Sequence, residues 1–165
     1  MDPFSCKPSQ VIRLVILTLR RSRAPGRLIH RCAQMEVNIF TVLIVDKDDS
    51  FRPVLRELLE RSGCFDFCIE ASSALEAIKR AKHFLPNLAV VDFSLPEMSG
   101  LQLAQELRGI MPRLPIFMLT ADRNVHVENE ALSCGIDAVF SKDDDIETLP
   151  ANALAVCGMN RDGHS

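Results

Sequence analysis

The chain's six cysteines, at positions 6, 32, 64, 68, 134 and 157, include no CxxC pair and have no histidine cluster beside them. That spacing argues against zinc and redox motifs. It favours free thiols in a reducing, cytoplasmic setting over a disulfide framework. Long apolar runs are also missing. The stretch Val11-Ile12-Arg13-Leu14-Val15-Ile16-Leu17 is broken by Arg13 and too short to span a bilayer. No small-residue cleavage pattern follows it cleanly, which counts against a secretory signal. Most of the chain lacks positive charge. Residues 1–34 hold seven of the 19 Lys and Arg but one of the 22 acids, so 35–165 carries a net charge of −9. An acidic body repels nucleic acid and anionic membranes, and suits cations or a basic partner.

What is present reads as one soluble domain. At 165 residues, 47% hydrophobic and 25% charged, the chain can bury a single substantial core. Residues 1–34 offer no periodic apolar face, and the reading adopted takes them as an upstream extension with Met35 as the working start. The expected division is a flexible basic extension over 1–40, a compact domain over 41–157 and a tail over 158–165.

The organising stretch is Ala89-Val90-Val91-Asp92-Phe93-Ser94-Leu95-Pro96-Glu97-Met98-Ser99-Gly100. An apolar run ends in an aspartate, a Pro- and Gly-bearing loop follows, and Leu101, Leu103, Ala104 and Leu107 then recur near helical spacing. This predicts a buried strand, a functional loop and a helix. The same alternation runs along the chain. Strands are predicted at 41–45, 66–70, 88–92, 115–119 and 137–140. Helices are predicted from Phe51 to the stop at Gly63, from a Ser72 or Ser73 cap to about 83, and over 100–109, 124–134 and 145–157. In the first helix, Phe51, Val54, Leu55, Leu58 and Leu59 are expected on one stripe. Wholly apolar strands such as Thr41–Val45 require cover on both faces. The fold expected is therefore α/β, a doubly wound five-stranded parallel sheet in the flavodoxin-like order 2-1-3-4-5.

That order would gather the polar strand ends in one cleft: Asp46 and Asp48 after the first strand, Asp92 after the third, Thr120 after the fourth, Lys142 after the fifth. Each has a plain explanation alone: turn former, strand-end cap, helix cap, solvated charge. Together they suit phosphoryl chemistry, with a carboxylate nucleophile, a hard cation, and Lys and Thr for the transferred oxygens.

Val45-Asp46-Lys47-Asp48-Asp49-Ser50-Phe51-Arg52, Val91–Gly100, Leu119-Thr120-Ala121 and Phe140-Ser141-Lys142 resemble the response-regulator receiver domain of two-component signalling. The resemblance covers about 41–157. It implies a signalling domain that at most catalyses its own phosphorylation and dephosphorylation. It implies Asp92 as phosphoacceptor, Thr120 as switch hydroxyl and Lys142 as phosphoryl contact. Mg²⁺ would be held by Asp46, Asp92 and the backbone carbonyl of Ser94, with Asp48 a further candidate. The implied partners are a histidine kinase or histidine phosphotransferase and a downstream protein, with no nucleic acid or membrane; a homodimer stays open. Too little chain follows position 157 for a helix-turn-helix, so a stand-alone receiver is expected.

Three positions depart from the family pattern. Lys47 stands where a second acid would ligate the metal, Val139 with Phe140 next to it stands at the aromatic switch position, and Asp143 replaces a proline after Lys142. An ammonium cannot ligate Mg²⁺. Lys47 is expected to pair with Asp92, an attraction of about 4 kcal/mol at 4 Å and an effective dielectric of about 20; the alternative is that it points to solvent. Two other functions compete. A haloacid-dehalogenase-like phosphatase would match Asp46-Lys47-Asp48 as D-x-D, but would leave the 95–100 loop unexplained. A receiver fold kept only for phosphorylation-independent docking would find its support in Lys47. A flavin-binding flavodoxin would need a phosphate beside an acidic loop, which repels it.

Overall fold

The computed structural model describes residues 40–63 and 65–159. The expected extension before Phe40, the start at Met35, cysteines 6, 32 and 64 and most of the expected tail lie outside the described residues.

Five parallel strands form one sheet: β1 (Phe40–Val45), β2 (Phe65–Ala71), β3 (Leu88–Asp92), β4 (Ile116–Thr120) and β5 (Ala138–Ser141). Their spatial order is β2-β1-β3-β4-β5, with β1 paired to both β2 and β3. The central strands β3 and β4 are buried along their whole length. Only apolar side chains on both faces make such strands stable, as the runs Ala89–Val91 and Ile116–Leu119 supply.

Helices cover both faces. One apolar cluster packs Val45, Val91 and Met118 under α2 (Ala74–Phe84), α3 (Gly100–Ile110) and α4 (Val125–Ser133). On the opposite face Ile44, Val90 and Leu119 pack under α1 (Phe51–Arg61) and α5 (Leu149–Met159). The doubly wound sheet expected from the alternation is present.

Local chemistry sets the boundaries. The Ser73 hydroxyl accepts the Glu76 N–H to start α2, so Ser73 rather than Ser72 is the cap. Gly63 and Gly135, at φ +70° and +79°, take the left-handed conformation just past α1 and α4.

Several expected element bounds need correction. β1 begins at Phe40, one residue before the expected strand, and the last helix continues through 158 to Met159. That helix also starts late. A 3₁₀ turn over Ile146–Thr148 precedes Leu149, because Pro150 fits the first turn of an α-helix and not its interior. Val54 is 56% exposed. At 100° per residue it lies about 120° from the midline between Leu55 and Leu59, outside the buried stripe.

Candidate functional site

The site is built where β1, β3, β4 and β5 end. Asp46 follows β1 and is fully buried. Its side chain accepts the Asp48 N–H at 2.9 Å and pairs with the Lys142 ammonium at 2.5 Å. Its carbonyl accepts a guanidinium N–H of Arg52 at 2.6 Å, and Arg52 also pairs with Asp49 and Glu70. A carboxylate inside the fold needs such partners, since burial otherwise disfavours its charge.

Asp92 closes β3 and is 3% exposed. Its Oδ1 lies 3.4 Å from the Lys142 ammonium, and its buried Oδ2 has no hydrogen-bond partner among the described residues. Burial raises its pKa above the ordinary carboxylate value, and the charge of Asp46 adds to the rise. Lys142 and the Ser94 N–H oppose it.

The loop after Asp92 turns back tightly. Ser94 and Ser99 form an antiparallel bridge, and the Gly100 N–H donates to the Phe93 carbonyl at 2.9 Å. Ser99 and Gln102 then cap α3 reciprocally. A Cβ on Gly100 would collide with the Asp92 carbonyl oxygen and approach the Phe93 Cα to 3.0 Å, so the turn requires glycine. Glu97 accepts the Ala74 N–H at 3.3 Å and joins this loop to the start of α2.

Lys142 follows β5, and its N–H donates to the Thr120 carbonyl at 3.0 Å. Its ammonium sits between Asp46 and Asp92, 4.8 Å from the centroid of the Phe51 ring. Thr120 is buried at the end of β4, but its hydroxyl donates to the Asp122 carbonyl and accepts the Asp122 N–H. It is engaged by its own loop and not by Asp92.

Other sequence candidates fall elsewhere. Asp48 is exposed and its Oδ1 accepts both the N–H and the hydroxyl of Ser50, bonds that hold its carboxyl below the ordinary range. It is occupied as a turn former. Lys47 is exposed, and the ion-pair partner of Asp92 is Lys142. The expected pairing of Lys47 with Asp92 is therefore not made: Asp46 turns inward at this bend and its neighbour projects outward. Val139 is buried beneath the α2–α4 face, while Phe140 lies on the α1/α5 face with its ring 5.2 Å from Phe117. Asp145 accepts the Ser141 N–H at 2.6 Å and pairs with Arg123, which also reaches Glu128 at 3.1 Å. A groove of about 480 Å³, lined by Phe40, Asn87, Met111 and Arg113 among others, lies at the opposite strand ends. It is remote from this chemistry.

The donor set can be tested for a metal. No three acidic, histidine or thiol groups gather to hold an ion among the described residues. Mg²⁺ asks less, since it keeps several waters and takes one or two carboxylates plus phosphate oxygens. Asp92 with its unpartnered oxygen, and Asp46 once released by Lys142, would supply two carboxylates, the lower limit of that demand.

The family model for the response regulator receiver domain matches residues 42–153. This chain belongs to the receiver domain family. Receivers are signalling domains of two-component response regulators; they interact with histidine kinases or phosphotransferases and typically bind Mg²⁺ at an acidic phosphorylation site. The chain is 37% identical over 101 residues to the alkaline phosphatase synthesis transcriptional regulatory protein PhoP of Bacillus subtilis, covering 61% of this chain and 41% of that protein. It is 33% identical over 121 residues to the response regulator Rre1 of Synechocystis, covering 70% and 52%. It thus spans about half the length, or less, of these two relatives.

Solved structures share the fold. A CheY-like receiver domain from Methanospirillum hungatei superposes with a TM-score of 0.68 at 23% identity, covering 75% of this chain and 98% of that one. A response regulator structure from Chloroflexus aurantiacus gives 0.67 at 26% identity, covering 73% and 98%. Among the described residues no helix is long and apolar enough to cross a membrane.

Proposed function

We propose that this receiver takes a phosphoryl group on Asp92 from a histidine kinase or histidine phosphotransferase and signals through protein contacts. The observation that supports this most is the state of Asp92. It is buried at a strand end, with one oxygen unpartnered and an ammonium 3.4 Å from the other.

A carboxylate oxygen of Asp92 attacks phosphorus, the P–N bond to the donor imidazole breaks, and the electron pair leaves with that imidazole. Lys142 then moves from Asp46 toward the transferred oxygens, where its charge offsets theirs. Thr120 exchanges its Asp122 contacts for a phosphoryl oxygen. Mg²⁺, when bound by Asp46, Asp92 and the Ser94 carbonyl, would neutralise charge between acceptor and phosphoryl oxygens. The compact receiver is proposed to occupy 41–157, with output through protein surfaces and no DNA contact by its acidic body.

A docking role without phosphorylation is the second reading. It is favoured by the exposed Lys47 at a metal-ligand position and by Val139 buried where an aromatic would switch. The phosphatase reading loses its pair of acids: Asp46 is held by Lys142, and Asp48 is turned to Ser50. Incubation with acetyl phosphate and Mg²⁺ separates all three. The phosphoacceptor account expects one phosphate per chain and no continued turnover of a generic phosphate ester. Sustained ester turnover would support the phosphatase, and no labelling would support docking.

A further inference from the structure

We propose that Phe51 is a positioning residue for Lys142, holding its ammonium between Asp46 and Asp92 by a cation–π contact. This rests on the reading of Asp92 as acceptor and adds a residue the motif comparison did not assign.

Lys142 comes from β5, at the sheet edge, and must reach Asp46 beside β1. A four-carbon stem of that reach has many rotamers, and fixing it costs side-chain entropy. Two carboxylates attract it, yet they pull unequally, at 2.5 Å and 3.4 Å. The third contact is the Phe51 ring, with its centroid 4.8 Å from the ammonium and within the range of a cation–π attraction. Phe51 is the first residue of α1 and packs at the edge of the α1/α5 apolar cluster, so its ring is anchored by the fold. The Lys142 side chain is 15% exposed, and limited access of water strengthens both the ring contact and the ion pairs.

This chain needs such a contact more because of Lys47. Lys47 stands where the family pattern has a second acid, so no carboxylate from that position competes for the Lys142 ammonium. Lys142 becomes the principal positive charge beside Asp92. Its placement then sets how readily an anionic phosphoryl donor approaches.

Two variants and two measurements test this. Phe51→Leu keeps an apolar side chain and removes the ring; Phe51→Tyr keeps the ring. The chain has five lysines, so ¹³C-lysine NMR can resolve the Lys142 ε-methylene signal, assigned with Lys142→Arg. In the wild type that signal should be displaced upfield by the ring current, in Phe51→Leu it should return to the position of exposed lysines, and in Phe51→Tyr it should stay displaced. The rate of Asp92 phosphorylation by acetyl phosphate should fall about threefold in Phe51→Leu, the size expected of such a contact, and recover in Phe51→Tyr. An undisplaced Lys142 signal in the wild type, or a wild-type rate in folded Phe51→Leu, would overturn the proposal. Absence of labelling in every form would overturn the acceptor reading instead, and the NMR signal would still decide the placement of Lys142.

Discussion

Lys142 lies nearer to Asp46 than to Asp92, at 2.5 Å against 3.4 Å. One ammonium is thus shared unequally by two buried carboxylates that repel each other. The closer pair leaves the Asp92 carboxylate less compensated, and burial with the charge of Asp46 raises its pKa. Such an arrangement holds Asp92 in a condition that favours arrival of positive charge or loss of its own negative charge.

Metal affinity is the first consequence. Lys47 supplies a cation where a ligand would sit, although its side chain is exposed. Mg²⁺ titration should be weak in the wild type and roughly tenfold or more tighter in Lys47→Asp, since two units of charge change beside the ion. Phosphorylation of Asp92 should be faster in that variant. Equal Mg²⁺ affinity in both proteins would remove Lys47 as the residue that limits this site.

Asp92 also costs the fold stability when ionised. A folded-state pKa raised above the unfolded value means the native state binds the extra proton, so the penalty is absent at low pH. It appears as pH rises through the ordinary carboxylate range and is complete above the raised pKa. In metal-free buffer Asp92→Asn should therefore melt higher than wild type at neutral pH, with the gain shrinking as pH falls toward the ordinary carboxylate pKa. Thermal melts across that range check it. A gain that grows on acidification would show the sign to be wrong.

The fold was legible because its strands are buried on both faces. Val42–Val45, Leu88–Val91 and Ile116–Leu119 are apolar without interruption, and their shortness, the turn residues around them and their β-branched content mark them as strands rather than buried helix. Asp46, Asp92 and Lys142 were legible as strand-end residues once the strand order was set. Contacts between distant positions were not. Phe51 meets Lys142 across 91 positions of sequence, and nothing at the start of a helix marks its first residue as an aromatic cover. Arg52 reaches back to the Asp46 carbonyl, which no side-chain pattern reveals. The outward turn of Lys47 depends on the bend after β1, because neighbouring side chains at such a bend diverge. The hydroxyl of Thr120 was foreseen at the right strand end but not its engagement with Asp122.

The most direct test is the site of phosphate attachment. Wild type and Asp92→Asn, both shown to be folded, are incubated with a phospho-histidine donor and Mg²⁺, and the label is quantified and mapped. The account predicts one acid-stable, base-labile phosphate per wild-type chain on Asp92 and none on the variant. Labelling of Asp92→Asn at the wild-type level would contradict it.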